Sequence, residues 1–180
     1  MGSQGKVYAG ISNLYGDVAV KEIPRIFVPI IHYKAESLGI GPKLYDIYYD
    51  NKYTYIIMER LDRTITLRDI YSYSYEICEM VTILIENGIF HNDLRDTNIM
   101  AGNTVSNDRD RLYIVDYDSA AMAFSDDDDD LIRFLNIEEY NTYLKKNYYI
   151  YISGKKYMLN FSSHPALIDR LHKAIDKFVF

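Results

Sequence analysis

The sequence predicts an α+β fold in two parts, a small sheet-based lobe followed by a mostly helical one. Three observations lead there. Residues 1–61 alternate short runs of β-branched and aromatic residues with Gly, Pro and Asp-Asn turn signals. From Thr66 the apolar period becomes helical, with Ile77, Met80, Val81 and Leu84 on one stripe. A chain of 180 residues suffices for one domain or for two small lobes sharing a cleft, and 48% hydrophobic residues supply a core for either.

In chain order, Lys6 to Gly10 reads as a strand, and a Gly16-Asp17 turn leads into a second strand, Val18 to Ile23, which Pro24 ends. Ile26 to Leu38 suits a helix carrying Glu36 in its later turns, stopped by Gly39 and Gly41-Pro42. Lys43 to Tyr49 and Tyr53 to Glu59 form a hairpin about Asp50-Asn51-Lys52. The character changes near Leu61 to Thr64, which divides a single domain into lobes at 1–61 and 62–180. Thr66 to Ile70 opens the helical part, and Tyr71 to Asn87 is a long helix that Asn87-Gly88 closes. Short strands follow at Ile99-Met100 and Leu112 to Val115, with a turn at Asn107 to Asp110 between them. After an acidic run, Asp126 to Asp130, a last helix starts at Ser163 or His164-Pro165 and runs through Leu167, Leu171 and Ile175.

Composition narrows the function. A formal net charge of −6 argues against direct nucleic-acid binding, which needs clustered Lys and Arg. The single cysteine, Cys78, allows no intramolecular disulfide and sits in an apolar helical stretch, as a buried core thiol does. No apolar run reaches the length of a membrane span, and no signal-peptide core is present. Met1-Gly2 opens like a myristoylation site, but Lys6 stands where that motif needs Ser or Thr. These features predict a soluble, cytoplasmic protein with no membrane partner. They leave the oligomeric state open. The 19 tyrosines, with abundant Ile, Asn, Lys and Asp, point to an AT-rich genome such as that of a virus or parasite.

The chemistry-bearing residues come in an ordered series. His91-Asn92-Asp93-Leu94-Arg95-Asp96-Thr97-Asn98 follows the long helix and an apolar pair. Leu112 to Val115 then delivers Asp116 at a strand end, with Asp118 two residues on. Upstream stand Val18-Ala19-Val20-Lys21, a glycine-containing start Gly2-Ser3-Gln4-Gly5-Lys6-Val7, and Ile57-Met58-Glu59-Arg60-Leu61 at the end of a strand. A lone strand lysine is ordinarily a solvated edge residue, and a strand ending in Asp is ordinarily a turn. Their order is what sets them apart. The series resembles the protein-kinase-like superfamily: H-x-D-L-x-x-x-N, D-F-G, V-A-I-K and the latter half of a Gly-rich loop.

That resemblance implies a bilobal fold with an abbreviated N-lobe sheet and a reduced helical C-lobe, binding ATP and Mg²⁺. It implies that Asp93 orients and deprotonates the acceptor hydroxyl, that Arg95 stands near the transferred phosphate, and that Asn98 and Asp116 hold the metal. Lys21 would grip the α and β phosphates, itself held by an ion pair with Glu36. Gly2, Gly5, Val7, Ala19, Met58 and Met100 would line the nucleotide, and the backbone from Glu59 to Leu61 would meet the base. His91 would brace the loop.

Three departures bear on the acceptor. Asn92 replaces the Arg of H-R-D, Asp118 replaces the Gly of D-F-G, and no A-P-E element follows Asp116. A protein kinase without an activation segment, compact like the RIO and KEOPS-complex kinases, is the leading expectation, with a protein substrate. H-N-D and the second acidic residue also resemble choline and aminoglycoside kinases, whose acceptors are small molecules. A non-catalytic regulator of another kinase is the third reading.

Overall fold

The computed structural model describes residues 5–25, 29–102, 110–122, 142 and 148–178. The chain is mixed α+β, built on antiparallel strand pairs. It divides into two units, one made of Met1–Arg63 with Met100–Asp118, the other of Thr64–Ile99 with Ser119–Phe180. The break after Arg63 lies within the stretch where the composition changes. A division at 61/62 does not anticipate the return of Met100–Asp118 to the first unit. Long-range backbone bonds cause that return: Asp62 N–H donates to Ala101 O at 2.9 Å, and Ile114 N–H donates to Ile40 O at 2.7 Å.

The first unit is organised by a four-stranded sheet in the order β1-β2-β4-β3. Its strands are β1 (Lys6–Ser12), β2 (Gly16–Pro24), β3 (Leu44–Tyr49) and β4 (Tyr53–Glu59), with α1 (Ile30–Ser37) between β2 and β3. Gly16 turns the first hairpin at φ 74°, a conformation that costs glycine nothing. In the second hairpin the Asp50 carboxylate accepts the backbone N–H groups of Lys52 and Tyr53, both at 2.7 Å, which makes the tight turn on its own. Strict alternation along β4 buries Thr54, Ile56 and Met58. With Ile23 they face inward, and Ala19, Leu44 and Ile47 pack against that cluster. The predicted helix from Ile26 is shorter in its described part, because Pro29 caps the start at Ile30; residues 26–28 lie outside the described residues.

A second sheet, in the order β5-β7-β8, is made of β5 (Arg63–Thr64), β7 (Ile99–Gly102) and β8 (Arg111–Ile114). Gly102 is required there by close packing: a Cβ would lie 2.9 Å from Leu61 Cδ2 and 3.1 Å from the Tyr113 ring.

The second unit is held by α2 (Leu67–Ser72), α3 (Ser74–Glu86) and α4 (Pro165–Phe178). The expected single helix from Tyr71 to Asn87 is interrupted at Tyr73, whose φ −113° and ψ 28° end α2. A capping box between Thr66 and Asp69 fixes where α2 begins. Pro165 occupies the first helical position of α4, where its missing N–H is no loss. Buried Ile77, Val81, Leu84 and Ile85 of α3 and Leu167 and Leu171 of α4 form the core, each such side chain contributing roughly 1.5–3 kcal/mol of transfer free energy. Arg170 closes the α3–α4 contact with two bonds to Glu86, at 2.8 and 2.6 Å.

Two small pairings complete the second unit. β6 (Ile89–Phe90) pairs with β9 (Ala121–Met122), and β10 (Tyr149–Ile152) pairs with β11 (Lys155–Met158) about Ser153-Gly154. Among the described residues no helix is long and apolar enough to cross a membrane. The expected acidic run at 126–130, and the expected turn apart from Asp110, lie outside the described residues.

Candidate functional site

In the first unit the sheet register gathers the residues expected to meet a nucleotide. Val7 lies opposite Lys21, Ala19 opposite Met58, and Lys21 opposite Ile56. Directly opposed residues share a face, so Val7, Ala19, Lys21 and Met58 all project from the same side of the sheet. Lys21 is buried, at 3% exposure. Its Nζ donates to Asp116 Oδ1 at 2.6 Å and to Asp118 Oδ1 at 2.5 Å.

Asp116 follows β8 with φ 62°, a left-handed conformation that Asp tolerates better than most residues. The 3₁₀ turn Tyr117–Ser119 comes next and carries Asp118 inward. Burial raises the Asp118 carboxyl above its usual range; the Lys21 charge opposes that shift, and the neighbouring Asp116 carboxylate adds to it. Gly5 packs directly on this group. A Cβ there would lie 3.0 Å from both Lys21 Cε and Asp118 Oδ2, and 3.1 Å from the Glu22 carbonyl.

Lys21 is therefore held by Asp116 and Asp118, and the expected ion pair with Glu36 does not form. Its cause is tertiary: the β8 end and the turn after it bring two carboxylates to the lysine, while Glu36 lies half-buried on α1. Leu61 is buried against Gly102 and Tyr113, and Met100 is half-buried on β7. At Glu59 the backbone N–H already donates to Lys43 O at 2.8 Å, so that group is committed within the unit. Gly2 lies outside the described residues.

In the second unit the segment from His91 to Asn98 folds into a small loop held by its own hydrogen bonds, although the buried Asn92 Oδ1 has no partner among the described residues. His91 is buried and its Nδ1 accepts the Asp93 N–H at 3.3 Å. Asn92 stands at φ 63° and donates its amide to Ser119 O at 3.1 Å. The Asp93 carboxylate is oriented from both sides. Arg95 donates to Oδ1 through Nε at 2.9 Å and through Nη2, and Asn98 Nδ2 donates to Oδ2 at 3.2 Å and to Asp93 O at 2.9 Å. The Asn98 Oδ1 atom faces the Thr97 hydroxyl at 3.3 Å.

The β10–β11 hairpin buttresses this loop. Tyr151 N–H donates to Leu94 O at 3.0 Å, and Ser153 N–H donates to Asp96 Oδ2 at 2.8 Å. Neither the hairpin nor the role of Asp96 was expected. The signal was present in Tyr149-Ile150-Tyr151-Ile152 ahead of Ser153-Gly154, a two-residue turn with both residues at positive φ. The sequence marks Asp118 as the replacement of a glycine and as a second acidic residue; its bond to Lys21 is a finding of the structure.

The first unit thus holds a buried cation with two carboxylates, and the second a carboxylate held by a guanidinium and an amide. Comparison with protein-family models yields no match, and comparison with curated proteins yields none. The functional reading rests on these residues.

Proposed function

We propose that the chain is an ATP-dependent phosphotransferase of bilobal protein-kinase-like fold, a minimal serine/threonine-type kinase that passes the γ-phosphate to a protein hydroxyl. The observation that carries this reading is the Lys21–Asp116 ion pair. The two residues are 95 positions apart and come from separate motifs, yet their charged atoms are 2.6 Å apart.

The residues fit a polyphosphate and its metal. Lys21 supplies a cation, Asp116 a half-exposed carboxylate, and Gly5 leaves no side chain against Lys21. Asp116 and Asn98 are the residues that would hold Mg²⁺, which when bound offsets phosphate charge. Lys21 binds the nucleotide phosphates. Asp93 aligns the acceptor hydroxyl and takes its proton as that oxygen attacks the γ-phosphorus and ADP leaves. Arg95 holds the Asp93 carboxylate in orientation and offsets negative charge beside it.

A small-molecule acceptor is favoured by one feature, the inward Asp118 where a D-F-G element has glycine. The test is transfer from γ-labelled ATP, with Mg²⁺, to a protein mixture and separately to amino-alcohols and aminoglycosides. Label on protein that disappears in Asp93→Ala supports the kinase reading. Label on a small molecule alone moves the chain to the choline-kinase type. ATP binding without any transfer would favour the regulator.

A further inference from the structure

Resting on the nucleotide-site reading above, we propose that Asp118 is an internal counter-ion that withholds Lys21 from bare polyphosphate, so that the site admits a nucleoside triphosphate only together with a divalent cation. The two carboxylates on Lys21 are not equivalent. The Asp116 side chain is 47% exposed and faces outward, whereas that of Asp118 is 12% exposed. Gly5 packs on the Lys21–Asp118 contact, where a Cβ would lie 3.0 Å from both Lys21 Cε and Asp118 Oδ2, tighter than ordinary contact. One cation between two carboxylates leaves the cluster with a net negative charge.

A bare triphosphate approaching this group meets repulsion from Asp116. To engage Lys21 it must also draw the ammonium from Asp118 and leave a shielded carboxylate without its cation. Stripping one partner from a buried pair is costly, because the remaining charge has lost its solvent and its counter-ion. A divalent cation changes both terms. It screens Asp116 from the phosphates and lowers the charge of the incoming ligand, so Lys21 need be shared rather than surrendered. The outward carboxylate thereby serves the cation, and the inward one makes that cation obligatory.

The experiment is calorimetric titration of ATP into the full chain, in EDTA and in excess Mg²⁺. It uses wild type, Asp118→Asn, Asp118→Ser, and Asp17→Asn as a control of equal charge change at an exposed position near the start of β2. Metal-free ATP should bind Asp118→Asn or Asp118→Ser at least about tenfold more tightly than wild type, with Mg·ATP affinity changed less than about threefold and Asp17→Asn like wild type. An unchanged metal-free affinity in both Asp118 variants overturns the proposal. So does a selective loss of Mg·ATP affinity, which would make Asp118 a metal ligand. If wild type binds no ATP even with Mg²⁺, the nucleotide-site reading itself fails, a result distinct from the other two.

Discussion

Ser153 donates its backbone N–H to the Asp96 carboxylate at 2.8 Å, across 57 residues of sequence. With the Tyr151 to Leu94 bond two residues earlier, it fastens the β10–β11 hairpin to the loop that orients Asp93.

Asp96→Ala should therefore cost about 1 kcal/mol of stability, the lower end for a bond to a charged group since Asp96 is half-exposed. It should also lower phosphate transfer more than ATP affinity. Asp96→Asn keeps an acceptor oxygen and should recover most of both. Urea unfolding and the split between kcat and KM measure the two effects.

Lys21→Met leaves Asp116 and Asp118 facing each other without their cation. The loss should be about 2 kcal/mol, below that of a fully buried pair because Asp116 is half-exposed. The double variant Lys21→Met/Asp118→Asn should regain at least half of it. Denaturant midpoints of the two variants decide this, and additivity of the single effects would show that the residues are not coupled.

The Asp50 carboxyl is held below its ordinary range by the backbone N–H groups of Lys52 and Tyr53. Its ionised form is thus favoured by folding, so its stabilising contribution is present above the unfolded pKa and is lost as pH falls through the lower folded value. Asp50→Asn, which keeps the turn but not the charge, should show a shallower acid loss of melting temperature as pH falls below about 4. Parallel acid limbs would contradict this.

Burial pushes the Cys78 thiol up to about 11. Native protein should resist a thiolate-directed alkylating reagent at neutral pH and react fully once unfolded. Rapid labelling of the folded chain would contradict the core placement of Cys78.

Local patterns were legible wherever adjacent residues decide the structure. The run from Val18 to Ile23 between a Gly-Asp turn and Pro24 marked β2, and Asp50-Asn51-Lys52 marked the β3–β4 hairpin. Asn98 and Asp93, five residues apart, are bonded to each other as one loop. What the local pattern hid was tertiary choice. Glu36 was the expected partner of Lys21, and only the path of β8 and the turn after it brings Asp116 and Asp118 to the lysine instead. Tyr73 breaks a continuous helical stripe through its backbone conformation, φ −113° and ψ 28°, which the hydrophobic period does not report.

The central claim, that Asp93 serves phosphate transfer and not nucleotide binding, is tested most directly by measuring both quantities in Asp93→Ala. The account predicts ATP affinity within about threefold of wild type and transfer reduced by at least about a hundredfold. Transfer at the wild-type rate in Asp93→Ala would contradict it.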